Sequence, residues 1–366
     1  ILGKDYEQMI QKSIMQNAGF TEDKGWVYTA NTTPTFGNTT VTGGGKTYLD
    51  SSITSLSSGS TYYISTVEQL NNLATLVHKG VDTSGVNFVL DNDIDVSSFT
   101  NTIDCFKGTF YGNGHSLTGL KTGLFDEVIG NAIVRDLALE NMSVSGHLAN
   151  TVTDNSTVDN VYSTGSTISS SGLIETLEGN ATLKNSYSTV NLTVNAAYAG
   201  GLVSRMSDNA TIEHCFAKNT IEQKFTSMAM GAIAGGLVGI VSGGTIKSSY
   251  ADCNINVVKY SIHNTVAGGL IGGVSGDVTI ENCYATGSIG ANKKDLFIGQ
   301  NDGNVTSSGN VACTGSSISE TPSGFSDGVT FVSNAELNSQ ARMEELGFTK
   351  DKGWVYYTGK APMLQG

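Results

Sequence analysis

The chain has 366 residues, a net charge of −13, 45 glycines, 3 prolines and only 14% charged side chains. Binding to nucleic acid needs a cationic stripe that neutralises phosphates, and docking on anionic lipid needs one too, so this balance speaks against both. No apolar run approaches the ~20 residues that span a bilayer, and the scarcity of proline with abundant glycine, serine, threonine and asparagine suits many short strands joined by tight turns.

In chain order, a helix-like stretch at 5–18 leads into Gly19-Phe20-Thr21-Glu22-Asp23-Lys24-Gly25-Trp26-Val27-Tyr28. Ile1 reads as the start of a trimmed or mature chain. Next, Ser65-Thr66-Val67-Glu68 offers a capping box for a helix over 66–79, with Val67, Leu70, Leu73, Ala74 and Val77 on one face. It predicts a lid on a stack of strands that begins with Asn87 to Val96 and Gly108 to Leu120. Open strand edges invite aggregation, and a lid removes one.

A phrase then recurs. Gly201-Leu202 leads to Ile212 and Phe216, Gly236-Leu237 to Ile246 and Tyr250, Gly269-Leu270 to Ile280 and Tyr284, Gly172-Leu173 to Leu183 and Tyr187, and Gly123-Leu124, partially, to Val134. Aligned, the apolar column reads Val134, Val158, Leu183, Ile212, Ile246, Ile280, with members 24, 25, 29, 34 and 34 residues apart. Such variation excludes helical repeats of fixed period. A β-solenoid tolerates it, because extra residues bulge out as loops while the strand register survives.

The next column reads Arg135, Asp159, Lys184, Glu213, Lys247, Glu281, alternating in sign through all its members. Parallel strands lie about 4.8 Å apart, so opposite charges in one exposed column pair, whereas like charges repel. After it come Asp136, Asn160, Asn185, His214, Ser248, Asn282, then Leu137, Val161, Ser186, Cys215, Ser249, Cys283. Next follow the aromatics Tyr162, Tyr187, Phe216, Tyr250, Tyr284 and the small residues Ser163, Ser188, Ala217, Ala251, Ala285. His214 reads as a stacking residue in an asparagine column. Cys215 and Cys283 stand two rungs apart, beyond the Cα reach of a disulfide. With Cys105, Cys253 and Cys313 they make an odd set without a zinc pattern, expected to be free thiols.

Near the end, Ser333 and Glu336 form a second capping box, opening a helix-like stretch over 334–346 that stops at Gly347. The following Gly347-Phe348-Thr349-Lys350-Asp351-Lys352-Gly353-Trp354-Val355-Tyr356 repeats 19–28 at a constant offset of 328. The division that follows is a closing segment of a preceding module at 1–36, a parallel β-helix at 37–332 and a second closing segment at 333–366, so neighbouring modules of one chain are expected partners. A rival reading makes the two tails pieces of one terminal domain.

The Gly-Gly-Leu-Val-Gly run at 235–239, with relatives at 200–203 and 268–272, resembles the GLUG motif of bacterial surface and secreted proteins, including non-catalytic parts of the IgA-protease family. Gly108-Thr109-Phe110-Tyr111-Gly112-Asn113-Gly114-His115 resembles the opening coil of such solenoids. The resemblance implies an all-β, right-handed parallel β-helix, located outside the cell or on its surface, in adhesin-like proteins. None of His78, His115, His147, His214 and His263 stands in HExxH, so the metalloprotease chemistry of that family is not carried.

For chemistry on the stack, Asp91, Asp93 and Asp95 alternate in Leu90-Asp91-Asn92-Asp93-Ile94-Asp95 and form the one candidate Ca²⁺ or carboxylate cluster. The aromatic column could take sugar but reads as packing. The longer loops 222–233 and 256–266 carry Phe225, Met228, Met230, Tyr260 and His263, and a scaffold exposes its variable function on loops. Ligand contacts are therefore expected at Phe225, Tyr260 and His263. The expectation is a non-enzymatic adhesin-type module or stalk without cofactor, binding a host glycan or protein. The alternative is a carbohydrate-active β-helix enzyme.

Overall fold

The computed structural model describes residues 46–226, 231–258, 264–314 and 327–364, together with the backbone of two short strands, Trp26–Val27 and Thr35–Phe36. Tyr260, His263, Met228 and Met230 lie outside the described residues. Among the described residues twenty-six strands form one continuous sheet, and the pairings within it are parallel. Each coil passes through three walls. Thr109–Tyr111, Ile133–Met142, Thr157–Thr167 and Thr182–Lys184 follow one another on the first. Ser116–Thr118, the second half of Ile133–Met142 and Tyr187–Ser188 belong to the second. Ile103–Phe106, Gly123–Val128, His147–Val152 and Ile174–Leu177 build the third.

The apolar column sits where its chemistry demands. Phe88, Phe110, Val134, Val158, Leu183, Ile212, Ile246 and Ile280 pair directly, rung on rung, and each is fully buried. At the N-terminal end the core is aromatic, with Phe106 and Phe125 at 5.0 Å and Phe110 edge-on to Phe125 at 5.6 Å. Further along it becomes aliphatic.

One coil is hidden from the Gly-Leu count. His147 stands opposite Gly123 in the third wall, and Leu148 N–H donates to the Leu173 carbonyl. The same bond links Leu173 to Leu202, Leu202 to Leu237, Leu237 to Leu270 and Leu270 to Phe297. Here His147-Leu148 replaces Gly-Leu.

Helix α1, Val67–His78, packs on Ile103–Phe106, the strand whose outer edge would otherwise lie open. Its cap is one residue later than the sequence indicates. Thr66 accepts from Gln69 N–H, and Gln69 Oε1 accepts from Ser65 N–H at 2.7 Å. The Gln69 amide also donates to Asp50 at 2.7 Å. A carboxylate could not both accept from Ser65 N–H and donate to an aspartate, so an amide suits position 69. At the other end the expected single helix is two, α2 Asn334–Leu337 and α3 Gln340–Glu345, because Ser339 caps a new start by accepting from Arg342 N–H. The Ser333–Glu336 box is present in full, and Gly347 follows α3 with φ 95°. None of the described helices is long and apolar enough to cross a membrane.

Candidate functional site

The charge column is in register: Arg135 faces Asp159, Asp159 faces Lys184, Lys184 faces Glu213, Glu213 faces Lys247 and Lys247 faces Glu281. Lys184 and Asp159 lie 3.5 Å apart, Lys247 and Glu213 3.1 Å. Arg135 turns aside to Asp136 at 2.7 Å. These half-exposed pairs contribute about 0.2–1 kcal/mol each, and their alternation penalises any slipped register.

The asparagine column has a conformational cause. Asp136, Asn160, Asn185, His214, Ser248 and Asn282 all adopt left-handed backbone with φ between 46° and 55°, at the corner between first and second walls. Asn and Asp tolerate that region best among residues with a Cβ. His214 is more than a stacking residue. Its Nε2–H donates to the Lys352 carbonyl at 3.0 Å, 138 residues away, and Asn282 Oδ1 accepts from Lys352 Nζ at 3.3 Å. Both tie down the C-terminal segment.

The three aspartates do not converge. Asp91 accepts from Lys46 Nζ and from the Tyr48 hydroxyl at 2.7 Å. Desolvation pushes its carboxyl up, and the bonds from Lys46 and Tyr48 outweigh that and hold it below the usual carboxylate range. Asp93 accepts from Ser116 N–H at 2.9 Å and faces His115 Nδ1 at 3.2 Å, while Asp95 accepts from Ser97 N–H at 2.8 Å. The chain turns a corner between Leu90 and Ile94, so alternation along one strand does not apply. Among the described residues no group of three or more His, Cys, Asp and Glu side chains could share a metal ion.

The aromatic column is a ladder of nearly parallel rings. Tyr162, Tyr187, Phe216, Tyr250 and Tyr284 follow one another at centroid distances of 4.5 to 5.1 Å with interplanar angles of 4° to 6°. Each inner ring gives both faces to its neighbours, and a sugar stacks on a free face. Trp354 covers Tyr250 and Tyr284 at 6.0 and 5.7 Å, and Phe348 lies edge-on to Tyr284 at 5.8 Å. The column is thus packing and the seat of the C-terminal segment.

Most of the extra length emerges at a different corner, between second and third walls. Gln223, fully buried, donates from Nε2 to the carbonyls of Ala196 and Ala197 and so clamps the loop bases. The return limbs Tyr198–Gly200, Ile233–Gly235, Val266–Gly268 and Lys293–Asp295 form their own four-stranded parallel sheet. Phe225, half-buried, packs on the core and presents only part of its ring. Earlier coils place two residues at this corner that the sequence did not single out. Val144 is 54% exposed and Ile168 61%, and Ile168 N–H donates to the Val144 carbonyl at 2.7 Å. Val144 also has φ 54°, a region in which a β-branched side chain is strained. The sole sequence signal was a β-branched residue inside the Ser143–Gly146 turn.

Four of the five thiols are buried, and Cys105 alone is exposed. Burial pushes Cys215, Cys253 and Cys283 up to about 12. Exposed Cys105 is raised by donating to Glu127. All five are free.

Comparison with known proteins agrees with this architecture. Residues 263–290 match the model of the GLUG motif. No curated protein sequence matches the chain. A solved structure from Bacteroides ovatus, provisionally described as an immunoglobulin A1 protease, superposes with a TM-score of 0.54 at 21% identity, covering 83% of this chain and 92% of that one. A second, described as IgA1 Protease, gives a TM-score of 0.51 at 18% identity over 75% of this chain and 23% of that one. At such identities the likeness speaks for the fold alone. The chain is thereby identified as a parallel β-helix that carries the GLUG motif.

Proposed function

We propose that this chain is a non-enzymatic binding module of a secreted or surface-exposed bacterial protein, and that it takes a host glycan or host protein at the loop corner. The observation that carries the reading is Val144, which is exposed, apolar and strained at once. Strain of about 1–3 kcal/mol persists only where the surrounding structure imposes it, and such residues cluster at functional sites; packing gives no reason for a valine here. Ile168 extends the apolar edge in the next coil, and the loops that carry Phe225, Tyr260 and His263 leave the same corner.

The ionisable groups support a binding role over catalysis. Asp91, Asp93, Asp95 and His214 each hold a wall, a turn or the C-terminal segment in place. The similar structures carry protease names, yet the histidines of this chain form no HExxH. The test is an array of host glycans and mucosal proteins, including immunoglobulin A1, probed with the chain, followed by analysis of each target for cleavage. Saturable binding with intact targets supports the proposal. Cleavage of a protein or an acidic polysaccharide would replace it with the enzyme reading.

A further inference from the structure

The aromatic ladder has two ends, and they differ. At one, Phe348 and Trp354 close on Tyr250 and Tyr284. At the other, Tyr162 gives one face to Tyr187 at 5.1 Å, and among the described residues no ring meets its opposite face. The rung in register below Tyr162 is Ala138, and the rung below that is Ser116. Both stand in the column of the rings, and neither side chain fills the space of one. Rungs lie about 4.8 Å apart, so two small residues in succession leave a slot deep enough for one ring beside the face of Tyr162. Tyr162 is half-buried, and Ala138, 6% exposed, forms the floor.

Oxygen acceptors border this slot. Glu140, two residues beyond Ala138 on the same strand and so on the same face, accepts from the Tyr162 hydroxyl at 3.1 Å. An ionised carboxylate has about four lone-pair sites, so Glu140 can accept from further donors. Asp93 belongs to the coil below Ser116. It accepts from Ser116 N–H at 2.9 Å and faces His115 Nδ1 at 3.2 Å, yet its side chain stays 70% exposed. Burial first, then the bond to Glu140 and the charges of Glu140 and Asp93, push the Tyr162 hydroxyl up to about 12. Among the described residues no ion pair joins Glu140 or Asp93 to a lysine or arginine.

We infer that this slot binds sugar, with a neutral hexopyranose standing where the next ring of the ladder would be. Its C–H face stacks on Tyr162, and its hydroxyls donate to Glu140 and Asp93. Hydrogen bonds to a carboxylate are roughly twice as strong as neutral ones. Two carboxylates without a lysine or arginine partner repel uronic and sialic acids, which restricts the ligand to neutral sugars. Quaternary ammonium groups are held by cages of several aromatic faces. One free face above the hydroxyls of Ser116 and Thr118 suits a sugar instead. The slot lies on the second wall, before the corner that carries Val144 and Ile168, so it stands whether or not that corner binds.

Ala138→Tyr in the full chain tests the slot by supplying the absent rung, because the new ring continues the ladder and fills the space. Maltotriose, lactose and triacetylchitotriose are the neutral probes, trigalacturonic acid and sialyllactose the acidic ones, and choline the cationic one. Saturation-transfer NMR with ligand titration reads binding. The wild-type chain is expected to bind at least one neutral probe saturably, with transfer concentrated on the C–H protons of one sugar ring. Ala138→Tyr should weaken that binding at least tenfold and Glu140→Gln at least threefold, while Val144→Asn with Ile168→Ser leaves it unchanged. If far-UV circular dichroism shows that Ala138→Tyr has lost its fold, Glu140→Gln with Asp93→Asn takes its place, with the same tenfold loss expected. Four results overturn the inference: no saturable binding of a neutral probe, equal binding by the slot variant, an acidic probe or choline bound as tightly, or a loss only in the Val144 and Ile168 variant.

Discussion

Gly236→Ala isolates the reason for the repeated Gly-Leu phrase. In four successive coils the glycine before the leucine lies against the carbonyl of the next coil. A Cβ at Gly172, Gly201, Gly236 or Gly269 would come within 2.2, 2.0, 2.1 and 2.1 Å of that oxygen. The backbone there is not left-handed, so the constraint is close approach, and at Gly236 the Ala251 Cβ at 2.8 Å blocks the other direction. An added methyl must push two strands apart by about 1 Å, with overpacking that costs about 1–3 kcal/mol. The shift also weakens the bond from Leu237 N–H to the Leu270 carbonyl, worth about 1 kcal/mol. The expected loss is therefore about 3 kcal/mol. Gly273→Ala is the control, since its nearest neighbour would be the Ile233 side chain at 3.6 Å, and its expected change is within about 0.5 kcal/mol. Urea unfolding followed by far-UV circular dichroism compares the two midpoints. A Gly236→Ala midpoint no lower than that of Gly273→Ala would refute the close-approach argument.

Lys184→Glu places a third carboxylate in line between Asp159 and Glu213, and a loss of about 1 kcal/mol that shrinks in 1 M salt is expected in thermal melts. Asp91→Asn is expected to cost about 1 kcal/mol at pH 7. The folded carboxyl lies below the usual value of about 3.9. Its contribution is thus present above about pH 4 and lost as pH falls through the folded value, so wild type and variant should melt alike in acid; a difference that persists there contradicts the assignment. A disulfide-exchange reagent at pH 8 should find one accessible thiol, Cys105, in the folded chain and all five after denaturation, and Cys105→Ser should remove the native signal. Val144→Asn relieves a left-handed valine and should raise stability by about 1 kcal/mol in urea.

Much of this fold is legible in the sequence because parallel stacking sets like on like. The apolar, charged and aromatic columns could be aligned before any coordinates, since each rung meets its counterpart about 4.8 Å away. What escaped depends on contacts remote in sequence or on backbone conformation. His147-Leu148 hides a coil because a histidine replaces the marker glycine. The helix cap stands one residue later than the local pattern indicates, with Thr66 accepting from Gln69 N–H while the Gln69 amide reaches Asp50, 19 residues away. The asparagine column was visible as composition, whereas its left-handed corner was not, and the tie from His214 to Lys352 spans too much chain for any local pattern. The spread of Asp91, Asp93 and Asp95 follows from a corner where alternation had implied a strand. At the candidate site the loops could be located from coil length, but nothing local announced that Val144 and Ile168 share their corner.

The most direct measurement is binding by the chain and by its Val144→Asn, Ile168→Ser variant to the strongest target on the host glycan and protein array. Both positions are exposed, so the variant keeps its walls, and an unchanged circular dichroism spectrum and melting temperature at or above wild type verify that. A corner that binds predicts at least a tenfold loss of affinity with the target left intact. Equal binding by the two proteins, or a target cut by either, would contradict the account.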